Sequence, residues 1–196
     1  MSYSQNNEEH FILQHFEGKP PASFWDIGAF DGKTFSNTLA LLERGWSGIA
    51  VEGSPVNFCN LVNNTAAHAD RIHYVFGIVT DKVISSVMAW YDTDGDAVSS
   101  NDEAHVDKWA AGGMKFRKMY GAVFGWRTLL GLIPNPAFIN VDVEGQSAQL
   151  AIDMWHEGLK PELWCIEHDG RADELAAMFM GYRELMRNGE NIILVR

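Results

Sequence analysis

One segment of the 196-residue chain restricts its fold more than any other. An apolar run at residues 24–27 leads into a glycine turn that contains Gly28 and Gly32, and Glu52 closes the next apolar run. A strand, a glycine turn and a helix, with an acid at the end of the second strand, are typical of nucleotide-binding βαβ units, in which the acid accepts the ribose hydroxyls. The segment therefore predicts a site for an adenosine at the ends of the strands.

Apolar and amphipathic stretches alternate along most of the chain, which is typical of a parallel sheet covered by helices on both faces. The helix after the glycine turn is expected at residues 34–44, where Phe35, Leu39 and Leu42 share one face. The expected strands are residues 23–27, 48–52, 73–79, 138–143 and 163–168.

The end of the chain has a different pattern. Asn188 and Gly189 separate residues 182–187 from residues 191–196. Because Asn-Gly tolerates the positive φ angles of a tight turn, these two runs are expected to form an antiparallel hairpin. The sequence thus predicts an α/β fold, a Rossmann-like three-layer sandwich with a mostly parallel sheet and an antiparallel C-terminal hairpin.

A single domain is expected over residues 1–196, because no proline-rich or serine-rich linker divides the chain. Residues 1–22 are interpreted as an N-terminal extension. Residues 85–137 are interpreted as an irregular insert that recognises the acceptor, since glycines interrupt any long helix there. These glycines are Gly112, Gly113, Gly121, Gly125 and Gly131.

Acidic residues outnumber basic ones, with 26 Asp and Glu against 15 Lys and Arg. This excess disfavours a nucleic-acid partner, since a nucleic-acid binder presents a broad basic field. No apolar run is long enough to cross a bilayer and the N-terminus lacks a signal pattern, so no membrane partner and a cytoplasmic location are expected. Cys59 and Cys165 fall within apolar patterns and are expected to be core thiols.

The spacing of the glycine turn separates two cofactor classes. A dinucleotide site needs the pattern G-x-G-x-x-G, so that the backbone can approach a pyrophosphate. Here Phe30 stands at the second glycine position, and the turn from Asp26 reads D-x-G-x-x-x-G. NAD is therefore the less favoured cofactor.

The longer motifs resemble a known family. Residues 26–32 resemble the first motif of class I S-adenosylmethionine-dependent methyltransferases, and residues 26–38, DIGAFDGKTFSNT, resemble the FkbM family. Similarity continues in order through VEGSP, GIVTD, NVDVEG and IEH to the last six residues. The resemblance implies a seven-stranded sheet with an antiparallel last strand and S-adenosylmethionine as cofactor. Two positions depart from the family pattern: Phe30 replaces a common asparagine and Ser147 replaces a frequent acid.

The resemblance also implies where the cofactor lies. Residues 26–32 would wrap its methionine part, Glu52 would hold the ribose, and residues 77–79 would border the adenine. The residues implied at the cofactor are Asp26, Gly28, Ala29, Phe30, Asp31, Gly32, Glu52, Gly53, Gly77, Ile78, Val79 and Asp142.

Methyl transfer to a hydroxyl requires an aligned acceptor and a base that removes the proton. Asp142 and Glu144 are two residues apart at the end of a predicted strand, which places both side chains on one face. We expect Asp142 to position the cofactor and acceptor, with His168 or Glu144 as base. The alternative is that Glu144 and His168 make only structural hydrogen bonds. Mg²⁺ is a further option, since Asp142, Glu167 and Asp169 offer hard oxygen ligands.

The sequence supports three hypotheses of function. The first is an S-adenosylmethionine-dependent methyltransferase that O-methylates a hydroxyl of a small molecule or saccharide, where the choice of oxygen comes from the family resemblance. The second is an NAD-binding oxidoreductase. The third is a non-catalytic adenosine-binding module of the same fold, in which Phe30 or Ser147 marks lost activity.

Overall fold

The apolar runs on either side of the glycine turn form two adjacent parallel strands. They are β1 (Ser23–Ile27) and β2 (Ser47–Glu52), which pair along the full length of β1. Every residue of β1 after Ser23 is buried, which explains why this strand has a nearly continuous apolar pattern instead of an alternating one.

The computed structural model describes residues 2–80 and 86–196. The further strands in these residues are β3 (Ile72–Phe76), β4 (Ile78–Thr80), β5 (Val87–Asp92), β6 (Arg117–Gly125), β7 (Phe138–Val141), β8 (Leu163–Glu167), β9 (Arg183–Arg187) and β10 (Asn191–Val195). A seven-stranded sheet has the order β3-β2-β1-β7-β8-β10-β9, and a three-stranded sheet has the order β4-β6-β5. The large sheet is parallel from β3 to β8, and β10 is antiparallel to both of its neighbours. The predicted fold class is confirmed.

Helices cover both faces of the large sheet. The helices described are α1 (Glu8–His15), α2 (Leu39–Glu43), α3 (Pro55–Asn64), α4 (Glu103–Ala111), α5 (Ser147–His156) and α6 (Ala172–Met178), with 3-10 turns at Ala66–His68 and Trp126–Gly131. Phe24 of β1 is buried with side chains of α1, α2 and α3, whereas Trp25 is buried with those of α5 and α6. Successive residues of one strand thus enter opposite cores, which makes three layers. Each of the helices described lacks the combination of length and apolar character that a membrane span requires.

The N-terminal extension is tied to the folded domain. Ile12 of α1 is fully buried, and the Glu8 side chain is only 1% exposed. Oε1 of Glu8 accepts hydrogen bonds from Nδ2 of Asn188 at 2.7 Å and Nδ2 of Asn191 at 2.9 Å. The carboxylate at the start of α1 therefore joins this helix to the C-terminal hairpin.

Replacing Glu8 with alanine is expected to lower the free energy of unfolding by about 2 kcal/mol, because the amide groups of Asn188 and Asn191 lose a charged acceptor. Urea denaturation at neutral pH measures this loss. Glu17→Ala is the matched control on an exposed side chain just after the same helix, and its effect should stay within about 0.5 kcal/mol. Equal effects of the two substitutions would contradict the role of Glu8.

The helix expected at residues 34–44 is wrong over its first half. α2 begins only at Leu39, and Phe35 has a φ of 59° and an exposed fraction of 49%. Oδ1 of Asp31 accepts hydrogen bonds from the N–H groups of Lys33 and Thr34. In the same way, Oγ of Ser36 accepts hydrogen bonds from the N–H groups of Thr38 and Leu39. These local side-chain bonds give the backbone an alternative to the helix.

Two other expectations need correction. The strand expected at residues 73–79 is divided at Gly77, whose φ is 150°, and β4 leaves the large sheet to pair with β6. The insert expected to be irregular contains β5, α4 and β6, and Gly121 and Gly125 lie within β6. Its first residue, at position 85, lies outside the described residues. Cys165 is buried as expected, but Cys59 is exposed on α3.

The C-terminal hairpin is confirmed, although its turn is built differently from the Asn-Gly turn expected. Neither Asn188 nor Gly189 has a positive φ angle. Instead, Oδ1 of Asn188 accepts hydrogen bonds from the N–H groups of Glu190 at 2.8 Å and Asn191 at 2.6 Å. The asparagine side chain closes a three-residue turn.

Candidate functional site

A cavity of about 660 Å³ lies at the carboxyl ends of the parallel strands. The strand order reverses at β1, which lies between β2 and β7, and open α/β sheets bind ligands at such a switch point. The insert contributes one wall through Trp90 of β5, the loop at residues 96–99, and His105, Lys108 and Trp109 of α4. The volume lies within the range of small-molecule sites.

Most of the sequence-predicted cofactor residues line this cavity. They are Asp26, Gly28, Ala29, Phe30, Glu52, Gly53, Gly77, Ile78, Val79 and Asp142. Asp31 and Gly32 do not line it. The Asp31 carboxylate accepts hydrogen bonds from Lys33 and Thr34 of its own turn, and a Cβ on Gly32 would lie 2.5 Å from Cδ1 of Leu61. Both positions shape the turn and pack it on α3.

Gly28 brings two strand ends together. Its φ is 88°, and a Cβ at this position would lie 1.6 Å from the carbonyl oxygen of Asp142. The N–H groups of Gly28 and Ala29 both donate to the carbonyl oxygen of Val51, at 3.0 and 2.9 Å. The missing side chain is therefore required by the protein's own backbone, which brings the turn after β1 against the loop after β7.

Glu52 is held in one orientation at the end of β2. Its Oε2 accepts a hydrogen bond from the N–H of Phe30 at 2.9 Å, and its Oε1 accepts one from the N–H of Ser54 at 2.6 Å. Burial raises the pKa of this carboxyl to about 7, although the backbone hydrogen bonds act in the opposite direction. A fixed carboxylate with free lone pairs can accept hydrogen bonds from a diol.

Asp26 belongs to a buried polar network below the glycine turn. Its Oδ2 accepts a hydrogen bond from Oγ1 of Thr38 at 2.6 Å, and its Oδ1 accepts one from Nδ2 of Asn140 at 2.9 Å. Burial raises the pKa of Asp26 to about 6, and these two hydrogen bonds oppose the rise. Asn37 donates to Oδ1 of Asn140 at 3.0 Å, while its own Oδ1 is buried without a partner beside the cavity. This oxygen is an acceptor that the sequence analysis did not identify.

Three carboxyl groups meet where β7 and β8 end. Oxygens of Asp142, Glu144 and Glu167 all lie within 4.8 Å of one another. Because β7 ends at Val141, Asp142 and Glu144 lie in a loop, and the strand periodicity expected to align them does not apply. The loop turns at Glu144, which has a φ of 54° and donates its N–H to Oε2 of Glu167 at 3.2 Å.

The electrostatics of these three groups are set by burial. Burial, followed by repulsion from neighbouring carboxylates, raises the pKa of Asp142 and raises that of Glu144 to about 8. Burial also raises the pKa of Glu167, against the hydrogen bond that Oγ of Ser147 donates to it at 2.7 Å. The same Oγ accepts a hydrogen bond from the N–H of Val143 at 2.8 Å. Ser147, the departure from the family pattern, thus orients the cluster.

His168 lines the cavity, but both of its ring nitrogens contact the backbone. Nδ1 accepts a hydrogen bond from the N–H of Gly170 at 3.0 Å, and Nε2 lies 3.3 Å from the carbonyl oxygen of Asn188. Since Nδ1 accepts, Nε2 carries the proton and donates it, so no free lone pair faces an acceptor. For His168 the geometry favours the structural alternative over the role of base. Asp169 is similarly engaged, accepting the N–H of Ala148 at 2.9 Å.

His105 of α4 is the histidine that sequence reasoning missed. Its Nε2 lies 3.4 Å from Oε2 of Glu144, and its side chain is only 10% exposed. The contact is within ion-pair range but lacks hydrogen-bond geometry, so the buried Nε2 has no hydrogen-bond partner. Burial, with a smaller effect of Lys108, lowers the pKa of His105. His105, Lys108 and Trp109 are spaced so that they share one face of α4, but in a sequence such a spacing is only a weak signal of a functional site.

The charge of the cavity is strongly asymmetric. Among the described residues that line it, nine carry carboxyl groups and one, Lys108, carries a lysine ammonium group. The nine are Asp26, Glu52, Asp96, Asp102, Asp142, Glu144, Glu167, Asp169 and Glu190. Such a cavity favours cations and hydroxyl groups and repels phosphates.

No protein-family model and no curated protein sequence matches the chain. Solved structures do match it. Methyltransferase FkbM from Methylobacillus flagellatus KT has a TM-score of 0.55 and 15% identity, over 90% of this chain and 44% of that chain. Precorrin-6y C5,15-methyltransferase from Geobacter metallireducens GS-15 has a TM-score of 0.50 and 12% identity, over 96% of this chain and 88% of that chain.

At these identities the likeness establishes the fold alone, which is Rossmann-like and is shared with these two methyltransferases. The chain spans less than half the length of the FkbM structure that it matches. The strand order and the antiparallel β10 define this Rossmann-like fold in the chain.

Proposed function

We propose that the protein binds S-adenosylmethionine and transfers its methyl group to a hydroxyl of a small molecule or saccharide. The observation that carries this proposal is the acidic cavity at the switch point, with Glu52 fixed at the end of β2. The proposed donor carries a sulfonium and an ammonium group, and both are cations that such a cavity attracts.

The same charge argues against NAD. A pyrophosphate carries negative charges, and the cavity lining offers it one lysine among nine carboxyl groups. Dinucleotide folds instead place the pyrophosphate at the N-terminus of the helix that follows the glycine turn. Here the turn is followed by irregular backbone, and α2 has only five residues beginning at Leu39. Phe30, with a φ of 50°, occupies the position of the second glycine.

Three parts of the proposed donor have a candidate partner in the cavity. We assign the ribose hydroxyls to Glu52 and the adenine to the wall formed by residues 77–79, as the family resemblance implies. We assign the ammonium group to the neighbourhood of Asn37, which lines the cavity and whose amide is oriented by Asn140. Asp26 stabilises this arrangement through Asn140.

The acceptor is assigned to the side of the cavity formed by the acidic cluster and α4. In-line transfer requires the hydroxyl to be aligned with the sulfonium carbon and its proton to be removed. Asp142, Glu144 and Glu167 are the groups that could take this proton, and the raised pKa of Glu144 makes it a stronger base when ionised. Small-molecule acceptors fit the enclosed volume, and the acidic lining disfavours nucleic acids.

Calorimetry tests the cofactor assignment. S-adenosylhomocysteine, titrated into the protein in the presence of EDTA, is expected to bind in the micromolar range, whereas NAD should give no heat of binding under the same conditions. Binding of NAD without binding of S-adenosylhomocysteine would overturn the proposal. Methyl transfer is then measured with radiolabelled S-adenosylmethionine and a panel of hydroxylated acceptors.

A further inference from the structure

The insert holds the backbone of the turn that carries Glu144. Oγ of Ser100 donates a hydrogen bond to the carbonyl oxygen of Glu144 at 2.6 Å, and it accepts one from the N–H of Asp102 at 3.0 Å. Ser100 is fully buried, and its backbone exchanges two hydrogen bonds with Tyr91 of β5. The hydroxyl that fixes the Glu144 backbone is therefore itself fixed by pairing with the small sheet.

Gly145 allows this turn to approach the beginning of α4. Its φ is 96°, and a Cβ here would lie 2.9 Å from Oδ2 of Asp102 and 3.4 Å from Cβ of His105. Glu144 itself has a φ of 54°, a backbone conformation that is unfavourable for a residue with a side chain. Such strain persists where the surrounding contacts hold it, and it is concentrated at functional sites.

His105 contacts the same turn through its side chain. Its Nε2 lies 3.4 Å from Oε2 of Glu144, and the side chain of His105 is 10% exposed, against 21% for Glu144. Both residues line the cavity, but the Nε2 atom of His105 is buried. An acceptor in the cavity can therefore touch the carboxyl group of Glu144, whereas Nε2 of His105 reaches the acceptor only through Glu144.

Glu144 differs from the other two carboxyl groups at this end of the sheet. Asp142 and Glu167 are hydrogen-bonded to each other through their carboxyl groups. Oε2 of Glu167 also accepts hydrogen bonds from Oγ of Ser147 and from the N–H of Glu144, so it holds the loop together. The carboxyl group of Glu144 instead faces the insert, where His105 lies beside it.

We propose that Ser100 and His105 are positioning residues, which hold Glu144 as the group that removes the proton from the acceptor hydroxyl. This proposal rests on the proposed methyl transfer. In that reaction the O–H bond breaks and its proton passes to the carboxylate of Glu144. The methyl carbon forms its bond to the hydroxyl oxygen, and its bond to sulfur breaks with the electron pair left on sulfur. Ser100 fixes the backbone and His105 the carboxyl group, so the base is oriented before the acceptor arrives.

A double-mutant cycle tests the role of His105, with radiolabelled S-adenosylmethionine and the panel of hydroxylated acceptors. His105→Ala should lower kcat at least about tenfold, because the carboxyl group of Glu144 loses its orientation. Glu144→Gln should lower kcat by at least as much. In the Glu144→Gln background, His105→Ala should change kcat less than about threefold, since no carboxylate is left to position. Equal losses in both backgrounds, or full activity of either single variant, would overturn the proposal.

Three further variants separate positioning from general damage to the fold. His105→Gln should keep kcat within about threefold of the wild type, because the glutamine amide can donate to Glu144. Ser100→Ala should lower kcat, since the turn loses its hydroxyl donor. Asp107→Ala, on the exposed face of α4, should change kcat less than about twofold. Each variant should bind S-adenosylhomocysteine in EDTA as the wild type does, and His105→Gln as inactive as His105→Ala would count against positioning.

Nitrogen NMR of the histidine rings gives a readout that does not require methyl transfer. Glu144→Gln should shift the ring resonances that disappear in His105→Gln, and it should leave those of His168 unchanged, because that ring contacts backbone groups. Unchanged His105 resonances would overturn the contact and the proposal with it. A wild-type chain that methylates no acceptor would overturn the proposed function and this role of Glu144 together. An active wild-type chain with a fully active His105→Ala variant would overturn this proposal alone.

Discussion

Replacing Glu52 with alanine is expected to lower the affinity for S-adenosylhomocysteine by about 100-fold. The two ribose hydroxyls lose a charged acceptor, and hydrogen bonds to charged groups are worth about 1.5 kcal/mol or more each. The effect should be this large because the N–H groups of Phe30 and Ser54 hold the carboxylate in place before the ligand arrives. Calorimetry in EDTA measures the change, and thermal unfolding establishes that the variant is folded.

The pH dependence of the same affinity gives an independent readout. Burial raises the pKa of Glu52 to about 7, and a diol donates its hydrogen bonds to the ionised carboxylate. The ligand therefore competes with a proton, so affinity should fall as the pH drops through about 7, approaching tenfold per pH unit. The difference between the wild-type and Glu52→Ala profiles isolates this carboxyl from the other titrating groups of the cavity.

Asp31→Asn is the control that separates contact from charge. Asp31 lies in the same glycine turn, but its carboxylate accepts hydrogen bonds from Lys33 and Thr34 of that turn, and Asp31 does not line the cavity. Removing its charge should change the affinity less than about threefold. Similar losses in Glu52→Ala and Asp31→Asn would mean that the cavity acts through its general field, and the assignment of the ribose to Glu52 would be abandoned.

Sequence patterns predicted the parts of this fold that are determined by local apolar periodicity and by residues at strand ends. The run from Phe24 to Ile27 is buried on both faces, so its pattern is continuous and easily recognised. Gly28 and Glu52 come at the ends of such runs. Strand pairing therefore places both of them at the carboxyl ends of the parallel strands. The C-terminal hairpin was predicted for a different reason, because the turn residues Asn188 and Gly189 separate residues 182–187 from residues 191–196.

Features that depend on particular side-chain hydrogen bonds or on distant contacts could not be predicted. The local hydrogen bonds of Asp31 and Ser36 outweigh the amphipathic spacing that predicted a helix at residues 34–44. His105 is 37 residues before Asp142 in the sequence, and only the packing of the insert on the loop after β7 brings it to Glu144. His168 was predicted at the correct edge of the sheet, but its bonds to the turn of the hairpin depend on tertiary structure.

Gly28→Ala is expected to lower the free energy of unfolding by more than about 4 kcal/mol, which is most of the stability of a marginally stable domain. The new Cβ would lie 1.6 Å from the carbonyl oxygen of Asp142, so the turn after β1 and the loop after β7 would have to separate. Those two segments carry hydrogen bonds to neighbouring strands, including the N–H of Asp142 to the carbonyl oxygen of Ile27 at 2.8 Å. Movement would therefore break strand pairing at the cavity.

A second glycine separates this clash from the strain of a positive φ angle. Gly158, after α5, has a φ of 94°, close to the 88° of Gly28, but a Cβ there would meet nothing within 4 Å. Gly158→Ala should therefore cost only the conformational term, about 1 kcal/mol, in urea denaturation. If Gly28→Ala proved no less stable than Gly158→Ala, the close approach of the glycine turn to Asp142 would be wrong. The placement of the acidic cluster beside the glycine turn would then be wrong as well, because the contact between Gly28 and Asp142 joins them.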